Sequence, residues 1–388
     1  MKKSLSRALA VGVLVAATSL LATSPAFAAA TVSPTTLTTG VYAAASAYNP
    51  AGDTVAVAAY GRTGAPNPPL GDPEVDFIDV KTNAVTVLKD AGLTAPTSLA
   101  WSPDGATLYV LNADTDIAVI DVATHSVVGN LSSGPSPSPY GMAITPDGNY
   151  LLVGDYSSGD DTVIIDIANN TVTSLNYADD YTVGVFVSPD GTKAYVVDYY
   201  GVVNVFDLST PLAAPIQTLQ FDGMSYGGTS VCSNFDMTSL YMIDYNEAPF
   251  DSFASRIDLA TGASVSVSTK MGESIGCNVT PDGKNLLVAS SGGDYPGVVG
   301  EFDGTTMELL NTYATSATDY TDVIASSPKN CDVYVSNFEP STNILSFPCD
   351  AALPNTGVDT MATVTAGAFG LLALSAGAFV LIARRRKA

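Results

Sequence analysis

One phrase recurs along this chain and limits what it can fold into. "AWSPDGATLYVLNADTDIAVIDVATHSVVGNL" begins at Ala100, "AITPDGNYLLVGDYSSGDDTVIIDIANNTVTSL" at Ala143, "VFVSPDGTKAYVVDYYGVVNVFDLSTP" at Val185 and "CNVTPDGKNLLVASSGGDYPGVVGEFDGTTMELL" at Cys277. Weaker copies start near Ala47, Val231 and Ala325, giving seven copies about 45 residues apart, the mark of a solenoid or propeller. Each copy holds a short apolar strand, a Pro-Asp-Gly turn, a second strand, a variable loop, a strand ending in Asp, a tight turn and a last strand. Four short strands joined by turn signals make one antiparallel blade. Pro presets φ in the first turn and Gly accepts positive φ, so these turns need no functional explanation. Asp79, Asp121, Asp166, Asp207, Asp258 and Asp303 recur at the second turn, where a short carboxylate can accept backbone N–H bonds; all six are expected to be structural.

These motifs resemble the YVTN family of bacterial and archaeal surface β-propellers, over nearly all of residues 31 to 350. The resemblance implies an all-β, seven-bladed β-propeller of four-stranded antiparallel blades. Blade five departs from it with "SNFDM" in place of Pro-Asp-Gly, and blade one carries the insert "GRTGAPNPPLGDPEVD". The seventh copy supplies three strands, "TDVIASS", "CDVYVSN" and "NILSFP", whereas "TVSPTTL" from Thr31 precedes the first copy unassigned. That N-terminal strand is expected to complete blade seven and close the ring, removing an exposed edge.

Both ends carry targeting patterns. Lys2, Lys3 and Arg7 precede an apolar run from Ala8 to Leu21, and Ala26-Phe27-Ala28 offers small residues for cleavage, so residues 1–28 read as a secretory signal peptide. Near the other end, Leu353-Pro354-Asn355-Thr356-Gly357 is followed by an uncharged stretch, residues 361–383, and then by Arg384, Arg385, Arg386 and Lys387. The stretch is long enough for a transmembrane helix, with the basic tail held in the cytoplasm. Residues 353–388 resemble the sorting signal of Gram-positive cell-wall proteins. The resemblance implies that a sortase cleaves between Thr356 and Gly357, after transient membrane insertion, and joins the Thr356 carbonyl to peptidoglycan. Only Asp350, Ala351 and Ala352 separate Cys349 from Leu353. Extended to Thr356, that tether spans roughly 20 to 25 Å. A protein so anchored sits within the wall or at its immediate surface.

Trimming both ends removes Lys2, Lys3, Arg7, Arg384, Arg385, Arg386, Lys387 and Asp359, which leaves 8 basic against 37 acidic residues, a net charge near −29. Such a field repels nucleic acid and anionic substrates and favours cations or basic surfaces. With 46% apolar residues and 19 tyrosines, the chain can still bury a core. Four cysteines in the exported part allow three pairings, and no CxxC spacing points to a thiol metal site. In the blade assignment, Cys331 and Cys349 share one edge of blade seven. Cys232 and Cys277 end the innermost strands of blades five and six and face the same way by parity. The expected bridges are therefore Cys331–Cys349 and Cys232–Cys277.

Catalytic patterns are sparse. Propellers with similar repeats include lactonases and antibiotic lyases that use His, Arg or Glu near the channel. Here His125 is the single histidine, Arg62 and Arg256 are the arginines left after trimming, and HExxH and phosphate-loop motifs are absent. Counting back seven residues from Asn49, Ser102, Thr145, Ser188, Ser233, Thr280 and Ser327 gives Tyr42, Ala95, Ser138, Tyr181, Tyr226, Glu273 and Tyr320. Tyr42, Tyr181, Tyr226 and Tyr320 are expected to ring one mouth of the channel. The second strands end there at Tyr60, Asn112, Asp155, Asp198, Asp244, Ser290 and Asn337, followed by Tyr156, Tyr199 and Tyr245 in three blades. A mouth of tyrosines with Asp155, Asp198 and Asp244 suits carbohydrate, a basic peptide or a cation. The competing reading is that the tyrosines fill gaps between blades. Asp155, Asp160 and Asp161 also offer hard oxygens for Ca²⁺, without the spacing of a known calcium loop. The expectation is a monomeric, cofactor-free binding or adhesion module for a carbohydrate, peptide or envelope partner. The alternatives are a lactonase-like hydrolase and a purely structural wall protein.

Overall fold

The computed structural model describes residues 31–61, 71–113, 116–134, 138–210, 213–223, 227–246, 251–290, 297–315 and 321–348. Its strands form seven separate four-stranded antiparallel sheets. Six are consecutive meanders over residues 43–88, 96–132, 139–180, 182–220, 228–268 and 274–314, here blades one to six. Blade seven takes three strands from residues 321–346 and its outer strand from Thr31–Leu37. That strand runs antiparallel to Thr342–Ser346, with Thr31 opposite Ser346 and Leu37 opposite Thr342. The N-terminal segment thus closes the ring as the three-stranded seventh repeat required.

Apolar patterning explains why the blades stack. Innermost strands such as Ala43–Tyr48, Pro96–Trp101, Pro139–Ile144 and Ser274–Val279 are buried at every residue. Both faces of these strands are covered by neighbouring blades, so they lack polar alternation. Outer strands such as Gln217–Gln220 are mostly exposed. Seven apolar clusters lie one in each gap between blades. In the closing gap, Ile78 of blade one meets Tyr334 and Ile344 of blade seven. Each such side chain, fully buried, contributes about 1.5 to 3 kcal/mol. Polar tips find partners: Trp101 Nε1 donates to Ala47 O at 3.2 Å, and the Tyr48 hydroxyl donates across the closure to Asp332 O at 2.7 Å.

The turn aspartates act locally. Asp79, Asp121 and Asp258 each accept the N–H and hydroxyl of the threonine three residues on, at 2.7–2.8 Å. These hydroxyl and backbone bonds lower each carboxyl pKa. In the first turns, Ser102, Thr145, Ser188 and Thr280 donate to the aspartate two residues later at 2.6 Å.

The hydrogen bonds correct one alignment. In six blades the first-turn residue donates its N–H to the carbonyl five residues on, and in blade five this is Asn234 to Ser239, not Ser233. Met237, at φ 52°, stands where other blades have glycine. The expected Cys232–Cys277 bridge is present, with Cα atoms 5.9 Å apart, joining blades five and six. Because blade five shifts by one, the two cysteines have opposite parity, as two residues facing each other across a gap must. Cys331 is also disulfide-bonded, while its expected partner Cys349 lies outside the described residues, as do the expected signal peptide and membrane span. No helix among the described residues is long and apolar enough to cross a membrane.

Candidate functional site

The mouth is the face where innermost strands begin and second strands end. Its geometry repeats: Pro139 pairs with Asp155, Thr182 with Asp198, Gly228 with Asp244, and Ala43 with Ala59. The register shifts immediately afterwards in all seven blades. A bulge at this end re-aims the residues that lead into each innermost strand. Two positions follow from the register. Ala59, not Tyr60, is blade one's counterpart of Asp155, and Tyr60 aligns with Tyr156 and Tyr199. Gly227 stands seven residues before Asn234, one place past Tyr226. Tyr226 and Tyr320 themselves lie outside the described residues.

The ring of polar residues ending the second strands lies beneath the mouth. Asp155 and Asp244 are fully buried and Asp198 is 8% exposed. Asp244 Oδ1 accepts the Gly227 N–H at 2.9 Å, and Asp198 Oδ1 accepts the Val202 N–H at 2.8 Å. Asn112 holds its own loop in the same way, accepting from Thr94 N at 3.2 Å and donating to Gly92 O at 2.9 Å. These side chains satisfy backbone groups that the loops would otherwise bury unpaired. Asp155 accepts from the Ser157 hydroxyl, and its other oxygen has no hydrogen-bond partner. The side chains of Asp160 and Asp161 are not among those described. Among the described residues, no group of three or more His, Cys, Asp or Glu is arranged to hold a metal ion.

The tyrosines sit above this ring. Tyr42 and Tyr181 both adopt φ 60°, a left-handed conformation that is uncommon for a bulky residue. Neighbouring backbone holds them there. Tyr42 donates its N–H to Phe338 O of blade seven at 2.9 Å and accepts from Tyr60 N at 2.8 Å; Tyr181 donates to Ser157 O of blade three at 3.3 Å and accepts from Tyr199 N at 2.8 Å. Each ring also bridges two blades. Tyr42 packs on Phe338 with centroids 3.6 Å apart; Tyr181 packs on Tyr156 at 5.5 Å and on Tyr199 at 6.4 Å. Tyr156 further contacts Tyr140 at 5.3 Å and Tyr199 at 6.2 Å, and Tyr199 contacts Tyr200 at 5.5 Å.

Five tyrosines therefore form one continuous aromatic group over blades three and four. Tyr140 is buried, Tyr156, Tyr181 and Tyr199 are half-buried, and Tyr200 is 52% exposed. Burial, then the neighbouring phenols, push the Tyr156 hydroxyl up to about 12, so it stays protonated and able to donate near neutrality. Tyr199 fits there because Gly227 has no side chain: a Cβ at Gly227 would lie 2.1 Å from the Tyr199 ring. The turn phrase brings Tyr156 and Tyr199 to the mouth but not Tyr140 or Tyr200. The run of tyrosines in "VGDYSS" and "VVDYYG" was the available signal.

The residues weighed for catalysis lie elsewhere. His125, at φ 47° in a third-to-fourth turn, packs against Phe77 with centroids 4.6 Å apart. Arg256 pairs with Asp258 at 3.4 Å. Arg62 lies outside the described residues.

Comparison with known proteins adds the chain's address. Residues 350–388 match the family model of the LPXTG cell wall anchor motif. This is a secreted, peptidoglycan-anchored cell-wall protein bearing a seven-bladed propeller. Over 87 residues, 21% of this chain, it is 32% identical to the seven-bladed beta-propeller protein Rv1057 of Mycobacterium tuberculosis. The match spans 21% of that relative's length. Among solved structures, the Cps50 (Swd1) β-propeller domain of Myceliophthora thermophila aligns with TM-score 0.64 at 13% identity, over 82% of this chain and 100% of that one. Kuenenia stuttgartiensis hydrazine synthase aligns with TM-score 0.52 at 22% identity, over 62% of this chain and 73% of that one. At these identities both show the fold alone.

Proposed function

We propose that the anchored propeller is a non-catalytic binding module whose ligand is a carbohydrate lying on the tyrosine face of blades three and four. Residues 1–28 direct export as a signal peptide, residues 361–383 hold the chain in the membrane, and sortase transfers Thr356 to peptidoglycan. The aromatic group carries the reading: Tyr156, Tyr181, Tyr199 and Tyr200 are contiguous and partly exposed. Sugar rings offer C–H faces to aromatic surfaces and hydroxyls to phenols, which join an apolar body to a polar tip. The acidic surface disfavours anionic polymers, so a neutral or basic glycan fits best. His125 and Arg256 are engaged elsewhere, with Phe77 and Asp258.

The test is a glycan array with purified residues 29–356, followed by calorimetric titration of any hit. Tyr199→Ala and Tyr200→Ala should each weaken binding about tenfold, equivalent to about 1.4 kcal/mol. Absence of glycan binding, or affinity that both substitutions leave unchanged, would overturn the reading. Turnover of a lactone panel would replace it with the hydrolase.

A further inference from the structure

The tyrosine face and the tether leave from opposite ends of the disc, which bears on what an anchored copy can touch. In six blades the third-to-fourth turn is tied to the first turn of the same blade: Val80 N to Asp53 O, Val122 N to Ala106 O, Ile167 N to Asn149 O, Leu208 N to Thr192 O, Leu259 N to Thr238 O and Gly304 N to Lys284 O. These paired turns make up the face opposite the mouth. In blade seven the same bond runs from Phe347 N to Cys331 O at 2.9 Å, but the fourth strand of that blade is Thr31–Leu37, so the described chain ends here on the turn face. Phe347 is held at this point by its ring contact with Tyr313 of blade six, with centroids 5.8 Å apart. The exit toward the anchor therefore lies on the turn face.

From Pro348 to Thr356 the chain can reach at most roughly 26 to 29 Å. The strands that separate the two faces are six residues long in most blades, roughly 20 Å. That reach exceeds the thickness only slightly, and a path to the mouth must also pass around the outer strand, about another 5 Å, so the linked polymer stays on the turn side with the propeller between it and the tyrosines.

We infer that anchoring orients the propeller, with its turn face against the peptidoglycan and its tyrosine face outward, so that its partner is a glycan arriving from outside the cell. The strand to which the protein is joined is not its ligand. This rests on sortase transfer at Thr356 and on the glycan-binding reading, yet the orientation is measurable without any ligand.

The experiment uses the full chain on intact cells and two variants with one added cysteine each: Tyr200→Cys on the mouth and Lys284→Cys on the turn face, where the lysine side chain is 75% exposed. Cys232, Cys277 and Cys331 are disulfide-bonded and do not compete for the label. A small maleimide should label both variants. A long polyethylene-glycol maleimide should label Tyr200→Cys on intact cells, whereas labelling of Lys284→Cys should be lost until muramidase releases the protein. Equal labelling of both by the long reagent, the reverse order, or shielding of both would overturn the orientation. Equal labelling of both variants in the released protein checks that each is folded. If the soluble propeller binds no glycan while the labelling asymmetry holds, the binding reading fails and the orientation stands.

Discussion

Asp76 couples closure of the ring to pH. It is fully buried in the third strand of blade one, and its Oδ2 accepts the N–H of Gly40 at 2.6 Å while Oδ1 has no hydrogen-bond partner. Gly40 lies on the chain that crosses from the outer strand of blade seven to the innermost strand of blade one. Burial, offset in part by the Gly40 bond and then reinforced by Glu74, pushes the Asp76 carboxyl up to about 7. Lys89, paired with Glu74 at 2.9 Å, opposes this weakly. A folded-state value above the ordinary 3.8 means that the native protein holds this proton more tightly than the unfolded chain does. The associated stability is full below about pH 4 and is lost as pH rises through about 7. At 1.36 kcal/mol per pH unit the whole effect is about 4 kcal/mol, of which about 3 kcal/mol falls between pH 5 and pH 8. In that window the turn aspartates, whose values are lowered, stay ionised in both states, and Glu273, raised by burial, adds in the same direction. Asp76→Asn keeps an acceptor for Gly40 and removes the titration. Urea unfolding followed by the single tryptophan, Trp101, which is buried against Phe77, should show the variant gaining about 3 kcal/mol on wild type between pH 5 and pH 8. A stability difference that stays constant over that range would refute the argument.

Three further outcomes are expected. Cys232→Ser with Cys277→Ser should lower stability by about 4 kcal/mol in the chain-entropy account of a 45-residue loop, measured by chemical unfolding beside the unmodified, oxidised protein. Thr356→Ala should move the protein from the wall fraction to the membrane or medium; covalent linkage to peptidoglycan that persists would refute cleavage at that bond. Gly227→Ala, at φ 158° with its Cβ 2.1 Å from the Tyr199 ring, should displace that ring, lower the urea midpoint and weaken glycan binding, and affinity left unchanged would dissociate Tyr199 from the ligand.

The architecture was legible because a repeat states its own period. Seven copies, three strands in the last and a spare strand at Thr31 left one way to close the ring, and Thr31–Leu37 takes that place. The turn aspartates were legible for a similar reason: a residue that recurs at one turn, with Thr, Ser or Asn two or three places on, is solving a backbone problem. The mouth was less legible. Blade five lacks Pro-Asp-Gly, so its turn phrase aligns one residue early, and the Asn234 to Ser239 bond fixes the register. Blade one behaves likewise: Ala59 is small and apolar where other blades have Asp, Asn or Ser, so by spacing Tyr60 reads as the end of its strand. Spacing along a strand also does not say whether a carboxylate points into a channel or under a loop. That depends on a bulge one step away, which no residue type announces.

In a repeat protein, recurrence and exception carry different information. A polar residue at equivalent places in six blades, as at the ends of the second strands, meets a need that those blades share. Here that need is to satisfy loop N–H and C=O groups, and Asp198, Asp244 and Asn112 are occupied with it. Among the described residues the mouth aromatics break the sevenfold pattern: the tyrosines gather on blades three and four, with a smaller pair, Tyr42 and Phe338, at the closure. Packing between blades requires apolar surface, which Val, Leu or Phe would provide without a hydroxyl and without a tyrosine at positive φ. Two strained tyrosines, held by backbone bonds to the preceding blade, are a cost that packing alone does not explain. What they provide instead is a row of rigid, partly exposed rings on the face that the tether leaves free.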